Sequence, residues 1–280
     1  MYLVTGATGN VGREVTGQLL QAGEKVRVFT RDASKVAHWG DRVEIAVGDF
    51  TDQESFRRAA AGVKGVFLMN GILDNGVFRK LVAAAKDEGV ERITFLSSAA
   101  ANHPELLMGK LHKDKEDAIR ESGVRGSFLR PNGFMSNTYQ WGKNVKADGV
   151  VYNPMGSGRF APIAPEDIAA VAVKTLTDGE SAGEILELTG GELIDVPEEV
   201  SILSRILGKE LRCVEITTEA AAQGLVQSGI PEHVAKAVAK TFETVREGQA
   251  AVVKDTFEKL MGRRPMTFEE WAKKHASRFA

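Results

Sequence analysis

Short apolar runs along the chain alternate with stretches in which apolar residues fall three and four positions apart. The runs are residues 2–5, 25–30, 43–47, 65–69, 92–97 and 127–130, and each reads as a buried strand. Residues 11–22, 52–60, 76–88 and 110–122 read as helices, with Val11, Val15, Leu19 and Leu20 as the first apolar stripe. Gly23 and Gly123 stand just past two of these helices, where a glycine commonly closes the last turn. Strands alternating with helices predict an α/β fold built on a doubly wound parallel sheet.

Past Pro131 the pattern loosens. Residues 137–149 read as a polar helix, 150–153 and 161–163 as short strands, and 165–177 as a helix opened by Pro165. Residues 184–189 form a further strand, expected to return to the sheet. Residues 196–207, 218–228, 231–261 and 267–276 read as helices. The expected organisation is a nucleotide domain over 1–133 with the return strand near 184–189, and a smaller, mainly helical lobe over 134–280, interleaved with it.

At 280 residues the chain is long enough for a full α/β core and a modest second lobe. The 36 basic and 38 acidic residues leave a net charge of −2, which gives no reason to expect nucleic acid or an anionic membrane as partner. No apolar run is long enough to span a bilayer, and the chain enters its first strand at once. Neither a signal peptide nor a membrane segment is therefore expected, and the expected compartment is the cytoplasm. The single cysteine, Cys213, excludes an internal disulfide and a multi-cysteine metal site, and reads as a small core residue. His38, His103, His233 and His275 show no metal-ligand spacing, so no metal is expected. The absence of Gly-x-Ser-x-Gly argues against a hydrolase elbow.

The most specific chemical signal is Thr5-Gly6-Ala7-Thr8-Gly9-Asn10-Val11-Gly12, between the first strand and the first helix. A tight glycine turn there lets the backbone approach a pyrophosphate, and the helix N–H groups and dipole favour its charge. The alternative is a plain βα turn. The second strand ends in Thr30-Arg31-Asp32, with Lys35 close behind. An acidic residue at that place would hydrogen-bond a ribose 2′-hydroxyl and select NAD. Arg31 is instead placed to pair with a 2′-phosphate, and Lys35 adds a second charge, so NADP(H) is expected in preference to NAD(H). Asp32 reads as a helix cap. The alternative for Arg31 and Lys35 is a surface pair at a helix start.

Gly6, Gly9 and Gly12 are each three apart, and T-G-A-T-G-x-x-G resembles the short-chain dehydrogenase/reductase superfamily. More narrowly it resembles the atypical branch that holds the NmrA-like and NAD(P)H quinone oxidoreductase-like proteins, with triphenylmethane reductase types among them. The resemblance covers most of the chain. Phe128-Leu129-Arg130-Pro131-Asn132-Gly133-Phe134-Met135-Ser136-Asn137 resembles the family's L-R-P-x-x-F-x-x-N segment. Glu166-Asp167-Ile168-Ala169, the stretch from Gly183 to Gly190, and Ile206-Leu207-Gly208-Lys209 resemble later fold markers.

This resemblance implies a Rossmann fold with a dinucleotide on Gly6, Thr8, Gly9, Asn10, Val11 and Gly12. It places Asp49 and Phe50 at the adenine, with capping of the next helix by Asp49 or Thr51 as the alternative. It places Met69, Asn70 and Gly71 along the adenosine ribose, and Ser97, Ser98 and Pro131 beside the nicotinamide. Asn132, Phe134, Met135 and Trp141 are candidates to line an acceptor pocket; the alternative is that such aromatics are core.

One part of the family's pattern is missing. Working members carry Tyr-x-x-x-Lys, often followed by a Glu four residues on. With Glu116 as that Glu, the Lys place is His112 and the Tyr place is Met108. Tyr2, Tyr139 and Tyr152 do not fill the role by spacing. His112 is then the candidate to hold the ribose or donate a proton near neutral pH, with a structural histidine as the alternative. Ser98 or Asn132 is the candidate to orient a substrate carbonyl.

Three functions remain open. The first is an NADPH-dependent reductase of a small activated acceptor that is quinone-, enone- or dye-like. The second is a non-catalytic NmrA-like redox sensor acting through a protein partner. The third is a nucleotide-sugar or isoflavone-type modifying enzyme. A homodimer is also left open.

Overall fold

The computed structural model describes residues 1–69, 71–72, 74–178 and 185–279. Its main sheet is made by β1 (Tyr2–Thr5), β2 (Val26–Thr30), β3 (Val43–Val47), β4 (Gly65–Met69), β5 (Arg92–Leu96), β6 (Arg125–Pro131) and β8 (Ile185–Leu188). The strand order is β3-β2-β1-β4-β5-β6-β8. β1 pairs in parallel with both β2 and β4, and the parallel pairing continues from β2 to β3, β4 to β5 and β5 to β6. The order reverses at β1, so the glycine turn after β1 lies at the switch point of a doubly wound sheet, as expected. Gly183 and Glu184, the start of the expected return strand, lie outside the described residues.

The helices cover both faces. On one face α2 (Gln53–Ala60), α3 (Asn75–Asp87) and α4 (Leu107–Ser122) bring Phe56, Phe78, Leu81 and Ile119 against Leu3, Leu68, Phe95 and Phe128 of the strands. Each such side chain contributes ~1.5–3 kcal/mol by leaving water. On the other face α1 (Asn10–Gln21) packs along α6 (Pro165–Thr177). Gln18 Nε2 donates to the Glu166 carbonyl at 2.9 Å.

The chain divides into two units. The first is Met1–Pro131 with Pro165–Glu187, and the second is Asn132–Ala164 with Leu188–Ala280. α6 lies within the range expected for the smaller lobe, yet it belongs to the first unit. The reason is its apolar surface: Ile168, Val171, Ala172 and Leu176 are fully buried, and the helix packs on β4 and β5 as well as α1.

The second unit contains α5 (Gly142–Ala147), β7 (Val150–Asn153), α7 (Val196–Leu207), β9 (Arg212–Glu215), α8 (Thr218–Gln227), α9 (Glu232–Arg246), α10 (Thr256–Met261) and α11 (Phe268–His275). Its core gathers Trp271, Phe268, Phe279, Leu203, Phe160 and Val151.

Four expectations are corrected here. The polar helix over 137–149 is a 3₁₀ stretch, Met135–Trp141, followed by the short α5. Residues 161–163 make only isolated bridges, Phe134 with Ile163 and Phe160 with Ile194. The helix expected over 231–261 breaks at Gly248, whose φ of 77° is costly for other residues, and resumes as α10. β9 was not anticipated; it pairs in parallel with β7, but its four residues are mostly exposed and carry no apolar alternation. Cys213 sits on β9 half-buried, and burial pushes its thiol pKa up.

Gly109, near the start of α4, sets how closely that helix approaches the 3₁₀ turn Ala99–Asn102. A Cβ there would lie 2.0 Å from the His103 carbonyl oxygen and 2.4 Å from that of Ala100. Gly109→Ala is expected to lower unfolding stability by ~1–3 kcal/mol, read from urea denaturation, because backbone must move to admit the methyl group. An unchanged midpoint would mean that the approach is not tight.

Candidate functional site

The turn after β1 is built for close backbone approach. Gly6 has φ of 68°, and a Cβ on Gly12 would lie 2.2 Å from the Gly6 carbonyl oxygen. Gly9 N–H donates to Gly6 O at 2.9 Å, which closes the turn. Gly9 is the N-cap of α1, no side chain caps that end, and no acidic residue sits in the first turn. The first N–H groups of a helix have no partner within it, and together with the dipole they favour an anion. Thr8 and Asn10 are exposed beside them, while Val11 is buried on the core face of α1, so only its backbone is available to a ligand.

At the end of β2, Arg31 and Lys35 are exposed, and among the described residues neither is in a salt bridge. Asp32 is the cap that the sequence suggested: its Oδ1 accepts from Ser34 N at 2.9 Å and from Ser34 Oγ at 2.6 Å. At the end of β3, Asp49 Oδ1 accepts from Thr51 N and Thr51 Oγ1 at 2.8 and 2.7 Å. These bonds hold its pKa down, and the Arg31 charge adds to the effect. The cap of α2 is neither Asp49 nor Thr51 but Asp52, which accepts from the N–H groups of Glu54 and Ser55. Phe50 is half-buried, with its ring 5.5 Å from that of Phe29. Gly71 N–H donates to Met69 O at 3.1 Å. Asn70 lies outside the described residues.

Past β5 a buried polar cluster forms. Glu116 on α4 is fully buried and faces Arg130 on β6, which is 6% exposed. Arg130 donates from Nε to Glu116 Oε1 at 2.8 Å and from Nη2 to Oε2 at 2.6 Å. Ser97 Oγ donates to Glu116 Oε1 at 2.6 Å. Arg130 also donates to Asn102 Oδ1, and Asn102 Nδ2 donates to Glu187 Oε1 at 2.6 Å. Ser98 caps the 3₁₀ turn, its Oγ accepting from Ala100 N at 3.1 Å. That acceptor role leaves the hydroxyl hydrogen for other use.

His112 lies on the same helix, 7% exposed. Burial pushes its pKa down to about 4; the Lys115 and Arg130 charges add to this, and Glu116 opposes it. The direction of this shift favours the uncharged imidazole at neutral pH, against the expectation of a proton donor near neutrality. Lys115, 1% exposed, has its pKa lowered to about 8 by burial, with Asp114 opposing; its Nζ stands 5.8 Å from the centre of the Phe78 ring.

The residues after Pro131 also depart from expectation. Met135 and Trp141 are 1% and 9% exposed and belong to the core of the second unit, so they do not line a pocket. The Asn132 carboxamide is engaged at both ends: Oδ1 accepts from Gly133 N at 2.9 Å, and Nδ2 donates to Ala250 O at 3.4 Å. Nδ2 carries a second hydrogen, which neither of these bonds uses. Phe134 is half-buried, and Pro131 is buried at the end of β6.

Sequence reasoning used Glu116 as a ruler and Arg130 as a fold marker, and it missed their pairing. The signal was an acidic residue on the helix before an Arg-bearing buried strand. Lys115 was missed altogether, because helical spacing alone does not say that a lysine faces inward. Among the described residues no group of three His, Cys, Asp or Glu is placed to hold a metal, and no helix is long and apolar enough to cross a membrane.

Two outcomes follow. Glu116→Gln is expected to cost ~3–5 kcal/mol in urea unfolding, because it leaves the Arg130 charge buried without its counter-charge. Combining it with Arg130→Met should recover part of that loss, and additive losses would mean the pair is not coupled. The imidazole of His112, followed by NMR, is expected to titrate near 4, against an ordinary value of 6.5. Between those values the unfolded chain binds a proton that the folded chain does not, so this group's contribution to stability falls as pH drops from about 6.5 to about 4. A midpoint above 6 would overturn the assignment.

The pattern of the NmrA-like family matches residues 2–272. A (4-alkanoyl-5-oxo-2,5-dihydrofuran-3-yl)methyl phosphate reductase of Streptomyces griseus is 37% identical over 282 residues, covering 100% of this chain and 99% of its own. An NAD(P)H azoreductase of Xenophilus azovorans is 32% identical over 283 residues, covering 100% and 99%. Among solved structures, the Citrobacter sp. triphenylmethane reductase complexed with NADP(H) superposes with a TM-score of 0.84 at 26% identity, covering 99% of this chain and 100% of that one. With the family pattern running from β1 into α11 and two relatives matched over their whole length, the chain belongs to the NmrA-like family.

Proposed function

We propose that the chain is an NADPH-dependent reductase of a small activated acceptor: a quinone, an electron-poor enone or a dye-like cation. One juxtaposition carries the reading. The uncapped N-terminus of α1 follows a glycine turn too tight for a Cβ, and two exposed cations, outside any salt bridge among the described residues, stand at the end of the next strand. The N–H groups of Asn10, Val11 and Gly12, with Thr8 beside them, hold a pyrophosphate, and Arg31 and Lys35 hold a ribose 2′-phosphate. Asp49 and Phe50 take the adenine side, Met69 and Gly71 the adenosine ribose, and Ser97, His112 and Pro131 the nicotinamide side.

The relatives support the coarse reading, since three of them are named as reductases. The name of the Streptomyces relative's substrate describes a ring double bond flanked by a lactone carbonyl and an acyl group. We carry that class, an electron-poor C=C, over to this chain.

Bound NADPH supplies a hydride. The chain's own residues contribute position rather than acid. Glu116 holds Ser97 in place, Met108 stands where a tyrosine acid would be, and His112 is uncharged at neutral pH. The proton therefore comes from solvent, which confines turnover to acceptors that take hydride without an acid poised on their oxygen.

The same missing acid favours a second reading, a dinucleotide-bound sensor that acts through a protein partner. Fluorescence titration with NADPH and NADH, followed by addition of a quinone and enone panel, separates the two. The reductase reading expects tight NADPH binding and NADPH oxidation. Tight binding with no oxidation of any acceptor would favour the sensor. Arg31→Ala is expected to reduce the NADPH-over-NADH preference by ~10- to 100-fold, the scale of a lost charge-assisted pair. An unchanged preference would refute the 2′-phosphate assignment.

A further inference from the structure

We propose that the chain pairs with a second copy of itself through β3, edge to edge and antiparallel about Ile45, so that two sheets join into one. β3 ends the strand order of the main sheet: β2 lies on one side, and among the described residues no strand lies on the other. The register shows which backbone groups are left over. Gly48 N–H donates to Thr30 O at 3.0 Å, and Thr30 stands beside Val47. In a parallel ladder alternate residues turn both N–H and C=O to the same neighbour. Glu44, Ala46 and Gly48 therefore face β2, and Val43, Ile45 and Val47 turn both groups outward. Folded chains blunt such an edge with lysine, proline, a bulge or a covering element. β3 reads Val-Glu-Ile-Ala-Val, and its Ile45 and Val47 are 39% and 59% exposed.

The outward backbone groups call for an extended strand, which satisfies all of them at once, and the side chains select this one. Antiparallel pairing about a two-fold axis at Ile45 sets that residue against the partner's Ile45. It sets Val43 against the partner's Val47, and Val47 against the partner's Val43. These side chains share one face, since residues two apart on a strand do, and pairs of β-branched residues across strands are stabilising. Charge is matched as well. Glu44, the one charged residue of β3, lies on the opposite face, where Arg27 Nη2 neutralises it at 2.9 Å. In the pair it stands across from the partner's Ala46, so no charge within the strands meets a like charge. A strand that carried its own unpaired charge, or a bulky residue at the axis, would fit less well than the same strand turned about. A two-fold contact uses the same patch on both copies and closes at two. The proposal does not depend on the reductase reading, because every residue it uses lies on the edge of the first unit.

The test is sedimentation equilibrium of the whole chain from low-micromolar to submillimolar concentration, for the wild type, Ile45→Lys and Ile45→Glu. The wild type is expected to move from monomer to dimer mass as concentration rises. Residue 45 faces itself across the axis, so either substitution sets like charges together and is expected to raise the dimer Kd about tenfold. An equimolar mixture of the two variants sets a lysine against a glutamate and should recover the dimer, a recovery that contact through another face would not give. Ile45 is exposed, so both variants should keep the wild-type Tm; Val47→Lys, at the more exposed position, repeats the first arm if either unfolds. A wild type that stays monomeric throughout leaves the edge to a strand of some other protein and overturns the proposal. A dimer that both substitutions leave intact overturns it too, as does a mixture that fails to recover.

Discussion

The Glu116–Arg130 pair is the interaction on which the carboxyl edge of the sheet depends. A carboxylate with no exposed surface is costly to desolvate, by several kcal/mol per ion, unless its oxygens are satisfied. Here both are: Arg130 covers them in a fork, and Ser97 adds a third bond. The pair joins α4 to β6, and through Ser97 and Asn102 it reaches the end of β5, the turn after it, and β8. Five elements spread over about 90 residues of chain, from β5 to β8, are thereby tied together. Partial satisfaction would be worse than an apolar core, because each orphaned group would keep its desolvation cost without its bond.

The same cluster accounts for the state of His112. Burial alone disfavours the imidazolium, and the nearby charges of Lys115 and Arg130 add to that, against Glu116. Arg130 is fixed by its pairing and Lys115 by its burial, so this local field is a property of the fold and not of a mobile surface charge. A neutral ring thus stands at position 112, while the buried lysine of the helix stands about one turn later.

Much of the fold was legible because it rests on local signals. Strand runs, helical stripes and the glycine turn report φ, ψ and burial within a few residues, and the sheet followed them. The tight turn and the cation after the second strand were legible for the same reason: Gly6, Gly12 and Arg31 sit at fixed offsets from β1 and β2. What escaped is non-local. β9 is a strand only because β7 lies beside it. The break at Gly248 is one residue in a helical pattern. Met135 and Trp141 were open to pocket or core, with core the commoner reading of such residues, and the packing of the second unit places them in its core. The inward turn of Lys115 depends on which face of α4 meets α3, a matter of helix rotation that apolar spacing leaves loose.

On the proposed reductase reading, a neutral His112 bounds the chemistry more tightly than the expected lack of a tyrosine does. A group with pKa about 4 is protonated in roughly one molecule in a thousand at pH 7. Any route that needs that imidazolium would carry a penalty of about 4 kcal/mol. Simple ketones, which need a placed acid as hydride arrives, fall on the wrong side of that barrier. Quinones, enones and cationic dyes do not, since hydride addition gives them a delocalised anion or a neutral product. On that reading, Met108 and His112 at the places expected for the usual pair narrow the acceptor more than they argue against turnover.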